Sequence, residues 1–562
     1  MAADERLLNK YQIGVWAPFA QEVRVQIAET THLMVQDQRG WWRFEAREDL
    51  AGLDYAFLVD GSSPFPDPRS LSQPYGVHGR SRFIDHSSFQ WTDAEWNAPP
   101  LGSGVIYELH IGTFTPEGTF DGAIARLDHL VNLGVSHVEL MPVAEFPGDR
   151  GWGYDGVDLY APHHAYGGPE GLKRFVNASH ERGLAVLLDV VYNHFGPDGN
   201  YLSQFGPYFS DRHKTPWGDS VNLDGDGSVE VRRFLIDNAL MWLRDYHFDG
   251  LRLDAVHALF DYSVTHFLEQ LAREVEEFAS QSGRNLVLVA ESDWNDPKVV
   301  QPRKSGGYGL TAQWSDDFHH ALHACLTGET AGYYSDFGQI EQVKKALESG
   351  FVYDGVYSCY RNRNHGLSAV GVPLDRFVIC LQNHDQIGNR AQGERSSQLM
   401  SVDGLLAGAA VLLTAASIPL LFQGEEWGAS TPFQYFTAHQ DERIAKAVSE
   451  GRKKEFGSFN WRTDNVPDPQ SVSTFARSKL DWDELNREPH RTVLKWHRAL
   501  IELRRSLPAL GNGRPYAVNT ECGSTLRVDR GSLLVKCSFD SEAPSVEVSV
   551  SGRVLLRSGY DR

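Results

Sequence analysis

The rhythm of apolar and polar positions changes twice along the chain. From Gln12 to about Ile84 apolar residues recur at every second place in short runs: Val23, Val25 and Ile27, then Trp42 and Phe44, then Tyr55, Phe57 and Val59, with Gly40 and Gly61 between them. Period-two runs broken by turn residues predict an antiparallel, immunoglobulin-like β-sandwich. Ser62 to Pro74 (SSPFPDPRSLSQP) follows as a loop laid against the next domain. From about Leu101 short apolar runs alternate with longer amphipathic stretches. The runs predict strands at Val105–Ile111, Ser136–Val143, Leu184–Val191, Gly250–Ala255, Leu286–Glu291, Thr311–Trp314, Arg376–Gln382 and Ile418–Phe422. Helical spacing lies between them, as in Ile124, Leu127 and Val131 and in Val231–Tyr246. Eight strand–helix units predict an α/β architecture, the (β/α)8 or TIM barrel, although their number alone leaves an open parallel sheet as an alternative. Beyond Arg491 a helix (RTVLKWHRALIELRRSL) leads into TLRVD, SLLVKCSF, SVEVSV and RVLLRS, the alternation of a small C-terminal β-domain. The expected domains are residues 1–95, 96–488 and 489–562.

One run, Leu405 to Phe422, has membrane-spanning length. It contains Gly408, Thr414, Ser417 and Pro419, and Asp403, Glu425 and Glu426 flank it without a basic anchor, so a buried helix followed by a buried strand is expected. Composition agrees. Of 562 residues, 53 are basic and 74 acidic, a net charge of −21, which disfavours nucleic acid and anionic membrane as partners. Aromatic residues make up 11 %, with 14 Trp and 21 Tyr, side chains suited to flat hydroxylated ligands. Cys325, Cys359, Cys380, Cys522 and Cys537 are scattered and odd in number, and the N-terminus has no signal pattern. A cytoplasmic protein with free thiols, monomeric or weakly homo-oligomeric, is expected.

In a barrel, reacting groups come from the C-terminal ends of strands. Here Asp189 closes LAVLLD and is followed by Asn193 and His194, Arg252 and Asp254 lie in GLRLDAVH, Glu291 ends LVLVAE, and His384 and Asp385 follow RFVICLQN. Arg252 and Asp254 are two apart on a strand and face the same way, so the guanidinium can hold the carboxylate ionised, as a nucleophile requires. Glu291 ends an apolar run whose desolvation raises a carboxyl pKa, as a proton donor requires. Two such groups about 5 to 5.5 Å apart are the equipment of a retaining glycosidase.

DVVYNH, GLRLDAVH, VAES and QNHDQIGNR, in that order, resemble the four signature regions of the α-amylase clan of glycoside hydrolases. The resemblance implies Asp254 as nucleophile, Glu291 as general acid and base, and Asp385 as the carboxylate that stabilises the transition state. It also implies supporting roles for Asp189, His194, Arg252 and His384, and a sugar-stacking role for Tyr154 of GYDG. VWAPFAQEVRV is similar to the sandwich of branching, debranching and trehalose-releasing members. WGDSVNLDGDGSVEVRRF, AQWSDDFHHALH, LLFQGEEWGASTPFQYFTAH and FARSKLDW resemble the maltooligosyltrehalose trehalohydrolase family of that clan. That likeness implies hydrolysis of the α-1,4 bond next to the trehalose end of maltooligosyltrehalose, with no cofactor. It implies substrate contacts from Asp316, Asp317, Phe318, His319 and His320, from Leu253, Ala255, Val256 and His257, and from Gln386, Ile387, Gly388 and Asn389. Ala438 stands where the FTxH motif of the family usually carries an acidic residue.

Each residue also has a plainer reading. The three carboxylates can be a buried structural network, the histidines satisfied core groups, and Asp316 and Asp317 an ordinary acidic first turn of a helix. Trp152, Trp217 and Trp314 can be sugar platforms at the rim or core residues. A branching enzyme shares the same machinery, and a silent glycan-binding barrel is the reading from another class. Gly151, Gly153 and Gly156 spell GxGxxG, but VDLYAP follows in place of a helix. Asp224 opens like a calcium loop, yet Val229 occupies the glycine position. With no HExxH, no Cys cluster, and Asn193 alone where some amylases bind calcium, no metal site is expected.

Overall fold

A computed structural model describes residues 11–457, 466–521, 523–540 and 543–559. Cys522 and the first ten residues lie outside the described residues. Near the N-terminus two antiparallel sheets face each other. One joins Gln12–Trp16, Trp41–Glu45 and Val35–Gln36; the other joins Thr30–Leu33, Val23–Ile27, Asp54–Val59 and Ser81–Arg82. Of the period-two positions, Val23, Val25, Trp42, Tyr55 and Phe57 are buried and Ile27, Phe44 and Val59 partly so, and Ile13 and Val15 join them.

The centre is a closed barrel of eight parallel strands: β1 (Ile106–Leu109), β2 (His137–Leu140), β3 (Ala185–Val190), β4 (Gly250–Leu253), β5 (Val287–Ala290), β6 (Ala312–Trp314), β7 (Phe377–Cys380) and β8 (Ile418–Phe422), each paired with its sequence neighbours and β8 with β1. Closure decides against the open sheet. Every one of the eight lies within a run that the apolar pattern marked, usually trimmed by one or two residues at the ends. Inward positions form a cluster of their own, with Ile106, Leu187, Val289, Ala312, Val378 and Ile418 at its base. Two residues beyond Ile106 and Leu187 the inward side chains turn polar, giving Glu108 and Asp189, and the neighbouring strands bring Glu139 and Arg252 into register with them. Period two therefore builds a dry floor and a charged roof from the same strands.

The uncharged run resolves into the helix Val402–Thr414 and β8, buried almost throughout. No helix among the described residues is long and apolar enough to cross a membrane. The helix His490–Ser506 packs on Val402–Thr414, and the five-stranded meander from Ala517 to Ser558 packs on Val402–Thr414 and on Ile340–Ser349. Arg504 donates to the Ala415 and Ser417 carbonyls (2.7 and 2.9 Å), and Arg530 donates to that of Thr414 (3.0 Å). The Thr414 and Ala415 carbonyls end the helix Val402–Thr414, where no intrahelical partner remains for them, and that of Ser417 lies just before β8. Cys325, Cys359, Cys380 and Cys537 are free thiols.

Candidate functional site

Arg252 is the hub of the barrel roof. Register places it beside Asp189 on one side and Val289 on the other. Its guanidinium, fully buried, donates through Nη1 to both oxygens of Asp189 (2.8 and 2.9 Å) and to Oδ1 of Asp254 (2.9 Å). Its Nη2 stands 3.4 Å from Oε2 of Glu291, and the group lies 4.4 Å over the ring of Trp314. One cation thus gathers three carboxyl groups from three strands. Asp254 also accepts from Asn193 Nδ2 at 2.6 Å, which fixes its second oxygen.

Glu291 follows β5. Burial lifts its carboxyl to about 8 against the pull of Arg252, and the nearby Asp254, Asp385 and Asp316 add to the rise. Its Oε2 accepts the main-chain N–H of Ala255 at 2.6 Å. Ala255 makes that contact from a left-handed backbone (φ 39°), a conformation unfavourable for a residue with a Cβ and typical of functional sites. Asp189 is lifted to about 6 by burial despite Arg252.

Tyr154 crosses the site. Its hydroxyl donates to Asp189 (2.5 Å) and lies 2.7 Å from His384 Nε2, and the two rings stack at 5.2 Å. His384 is held from behind by Glu108 of β1: Nδ1 is 2.5 Å from Oε1, and the main-chain N–H of His384 donates to Oε2 (3.1 Å). Burial alone would lower this imidazole, but Glu108 and Asp385 raise it to about 9, so it carries a positive charge. Asp385 is the open member, with 39 % of its side chain exposed. It lies 3.6 Å from His384 Nε2 and accepts from Asn389 Nδ2 (3.2 Å). Gly388 is required by space, because a Cβ there would stand 2.0 Å from the Trp152 ring. Gln386 offers its main-chain N–H to the Asn383 cap, and Ile387 is buried among Trp152, Phe422 and Phe433.

The rim is divided. His194 bonds Asn193 Oδ1 (2.5 Å) and the Tyr154 carbonyl (3.0 Å), while half-exposed Trp217 stacks on it at 4.5 Å. His257 accepts from the main chain of Asp293 (3.3 Å). Leu253 and Val256 are buried beneath. In DDFHH the helix Asp316–Thr327 splits the five residues. Asp316, lifted to about 7 by burial and by Asp293 and Asp385, adds to the charge around Glu291. His320 packs beside Tyr333 and Phe337. Asp317 instead accepts from Val352 N, Tyr353 N and Asn295 Nδ2 (2.7 to 2.8 Å), His319 bonds the Leu381 carbonyl and Tyr334, and Phe318 is core. The side chains of Asp317, Phe318 and His319 thus hold the fold, because a helix packed on a barrel turns only part of its first turn outward. Trp152 and Trp314 are buried and only Trp217 stands at the surface.

Glu108 and Glu139 were not singled out from the sequence. Glu139 is fully buried without a hydrogen bond, and burial next to Glu108 and Asp189 raises its carboxyl well above the ordinary range. The signal was present: each is a carboxylate at an inward position of an apolar run, YEL and VEL.

The family model "Alpha amylase, catalytic domain" matches residues 81–216. With the closed barrel and its clustered carboxyl groups, this defines a glycosidase of the α-amylase type. The malto-oligosyltrehalose trehalohydrolase of Arthrobacter ramosus is 51 % identical over 93 % of this chain and 91 % of its own, and that of Rhizobium sp. strain M-11 is 49 % identical over 89 % and 85 %. The chain belongs to the malto-oligosyltrehalose trehalohydrolase family. A crystal structure from Salmonella typhimurium, described as a candidate alpha amylase, superposes with a TM-score of 0.87 at 39 % identity, covering 96 % of this chain and 91 % of that one.

Proposed function

We propose that this enzyme hydrolyses the α-1,4-glucosidic bond next to the trehalose end of maltooligosyltrehalose, releasing trehalose and a shortened maltooligosaccharide. The observation that carries the reading is the single buried guanidinium shared by Asp189, Asp254 and Glu291 in a chain of this family. Asp254 attacks the anomeric carbon on the glycan side while the protonated carboxyl of Glu291 gives its proton to the departing oxygen. Trehalose leaves, and the glycan is held as an ester on Asp254. Glu291, now a carboxylate, takes a proton from water, which attacks the same carbon, frees Asp254 and restores the α configuration. Asp385, open to the cleft, hydrogen-bonds sugar hydroxyls as the ring flattens, and Tyr154 stacks on the sugar before the cleaved bond. The positive charge of His384 steadies Asp385. The chemistry uses side chains of the chain and water alone.

Residues 1–95, 96–488 and 489–562 serve as sandwich, catalytic barrel and C-terminal β-domain. Free thiols and an acidic surface support a cytoplasmic enzyme, monomeric or weakly associated. The test is product analysis on maltooligosyltrehalose and on the matching plain maltooligosaccharide. Fast release of trehalose from the first, with much slower attack on the second, is expected. Equal attack on both would make the chain a broad amylase, new branch points without net hydrolysis a branching enzyme, and inertness towards both a glycan-binding barrel; each sinks the proposal.

A further inference from the structure

Outside the barrel roof, one cluster combines metal-ligating side chains with an unexplained buried polar group. Glu145 lies on the short strand Ala144–Glu145, which pairs antiparallel with Asp158–Pro162, and His163 and His164 follow that second strand directly. His164 Nδ1 is 2.6 Å from Glu145 Oε1, and its main-chain N–H donates to Oε2 at 2.8 Å, so the carboxylate is held from two points. His163 is fully buried, its ring stacked on Phe146 at 3.8 Å. Neither of its ring nitrogens makes a hydrogen bond. Nδ1 stops 3.3 Å from Glu145 Oε1 without the alignment of one. A buried polar group left in this way carries the full cost of its lost hydration, which asks for a ligand.

We propose that Glu145, His163 and His164 form a binding site for a divalent cation of the zinc class. One ligand atom from each residue lies within 4.8 Å of the other two. A tetrahedral ion with ligands at about 2.0–2.2 Å separates them by about 3.4 Å, close to the 3.3 Å already found between Glu145 and His163. The short contact from His164 opens by less than an ångström when the ion replaces its proton, a movement available to a ring that is partly exposed. Two imidazoles and one carboxylate suit zinc, cobalt or nickel and leave a fourth position for water, whereas calcium and magnesium require oxygen ligands. The site lies one side chain below the surface, because His164 lines a polar depression of about 430 Å³ together with Tyr75, Arg150, His439 and Gln440, while Glu145 and His163 are buried behind it. The bound ion would close the neck of segment 146–157, which carries Tyr154 into the barrel roof. The site is therefore a staple for the loop that presents Tyr154, apart from the reacting groups themselves.

Chelator-treated full-length enzyme, titrated with Zn²⁺ and separately with Co²⁺, tests this. Expected are one equivalent bound per chain, a rise in the unfolding temperature that grows with ion concentration, and visible Co²⁺ bands of a low-coordinate nitrogen–oxygen site, none of them produced by Ca²⁺ or Mg²⁺. His164→Ala changes a partly exposed residue and keeps the fold; it should weaken binding at least about a hundredfold, and H163L should abolish it. If H163L fails to fold, His164→Ala alone decides. Absence of stoichiometric binding overturns the proposal, as does undiminished binding by His164→Ala.

Discussion

The proton on Glu291 is kept by burial, and its loss sets the alkaline limit of activity. With the carboxyl lifted to about 8, the acid form dominates at neutral pH; above that value the group is a carboxylate and cannot protonate the leaving oxygen. kcat/KM should fall about tenfold per unit as pH rises beyond about 8, and a profile flat to pH 10 would remove Glu291 from the role. Asp254→Asn and Glu291→Gln should each cost at least about three orders of magnitude in turnover with the unfolding midpoint nearly unchanged, measured by steady-state kinetics and thermal denaturation. Glu108 acts one step further back. Its two contacts to His384 fix the ring and its charge, so Glu108→Gln should lower the His384 pKa, read from the imidazole proton shifts, and reduce kcat. A charge-assisted hydrogen bond is worth about 1.5–3 kcal/mol, which corresponds to about 10- to 150-fold in rate. A purely structural Glu108 would leave the His384 titration where it is.

At the scale of elements, the hairpin of Phe209–Thr215 and Gly218–Val221 carries Trp217 over His194. With 49 % of its surface exposed, Trp217 contributes little to the core, and its ring extends the rim that a sugar face can cover. Trp217→Ala should raise KM about tenfold and move the unfolding temperature by no more than a degree or two; an unchanged KM would make the ring a cover for His194 only. This hairpin, like the Ala144–Glu145 strand, was not legible in the chain, because two- to seven-residue strands of mostly polar residues carry no period. The barrel strands were legible because each buries both faces and so stands out as an apolar run between polar stretches. The polar roof was only partly so. Asp254 and Glu291 lie at the ends of their runs and mark themselves, and Asp189 and Arg252 stand out by the motifs around them, whereas Glu108 and Glu139 lie within YELH and VELM and read as ordinary alternation. In DDFHH the residues were legible but their directions were not, since packing of the helix on the barrel decides that Asp317 turns to the Val352–Tyr353 main chain.

Across the whole molecule, the segment that leaves the N-terminal sandwich is fastened under the barrel by charges. Asp93 on that segment bonds His180 Nδ1 and His247 Nδ1 (2.8 Å each), His180 Nε2 bonds Asp249 (2.9 Å), and Trp96 stacks on His180 and donates to Asp249 (2.9 Å). Burial works against charge here, yet the histidines hold the carboxyls of Asp93 and Asp249 below their usual range, and the two aspartates hold His180 above its own. The signs fix a window. The depressed carboxylates contribute stability that is complete above their unfolded value of about 4 and lost as pH falls through their folded values; raised His180 contributes stability that is complete below about 6.5 and lost as pH climbs through its folded value. Their joint contribution is therefore greatest between about pH 4 and 6.5. Replacing His180 by Asn leaves two buried carboxylates short of a partner and should cost about 3–5 kcal/mol within that window. Chemical denaturation of both proteins across pH should show their difference widest near pH 5 to 6 and shrinking as pH falls below about 4, where the aspartates of the unfolded chain take up protons that the folded parent does not bind. A difference independent of pH would mean that His180 works by packing against Trp96 alone, and that the charges play no part in joining the sandwich segment to the barrel.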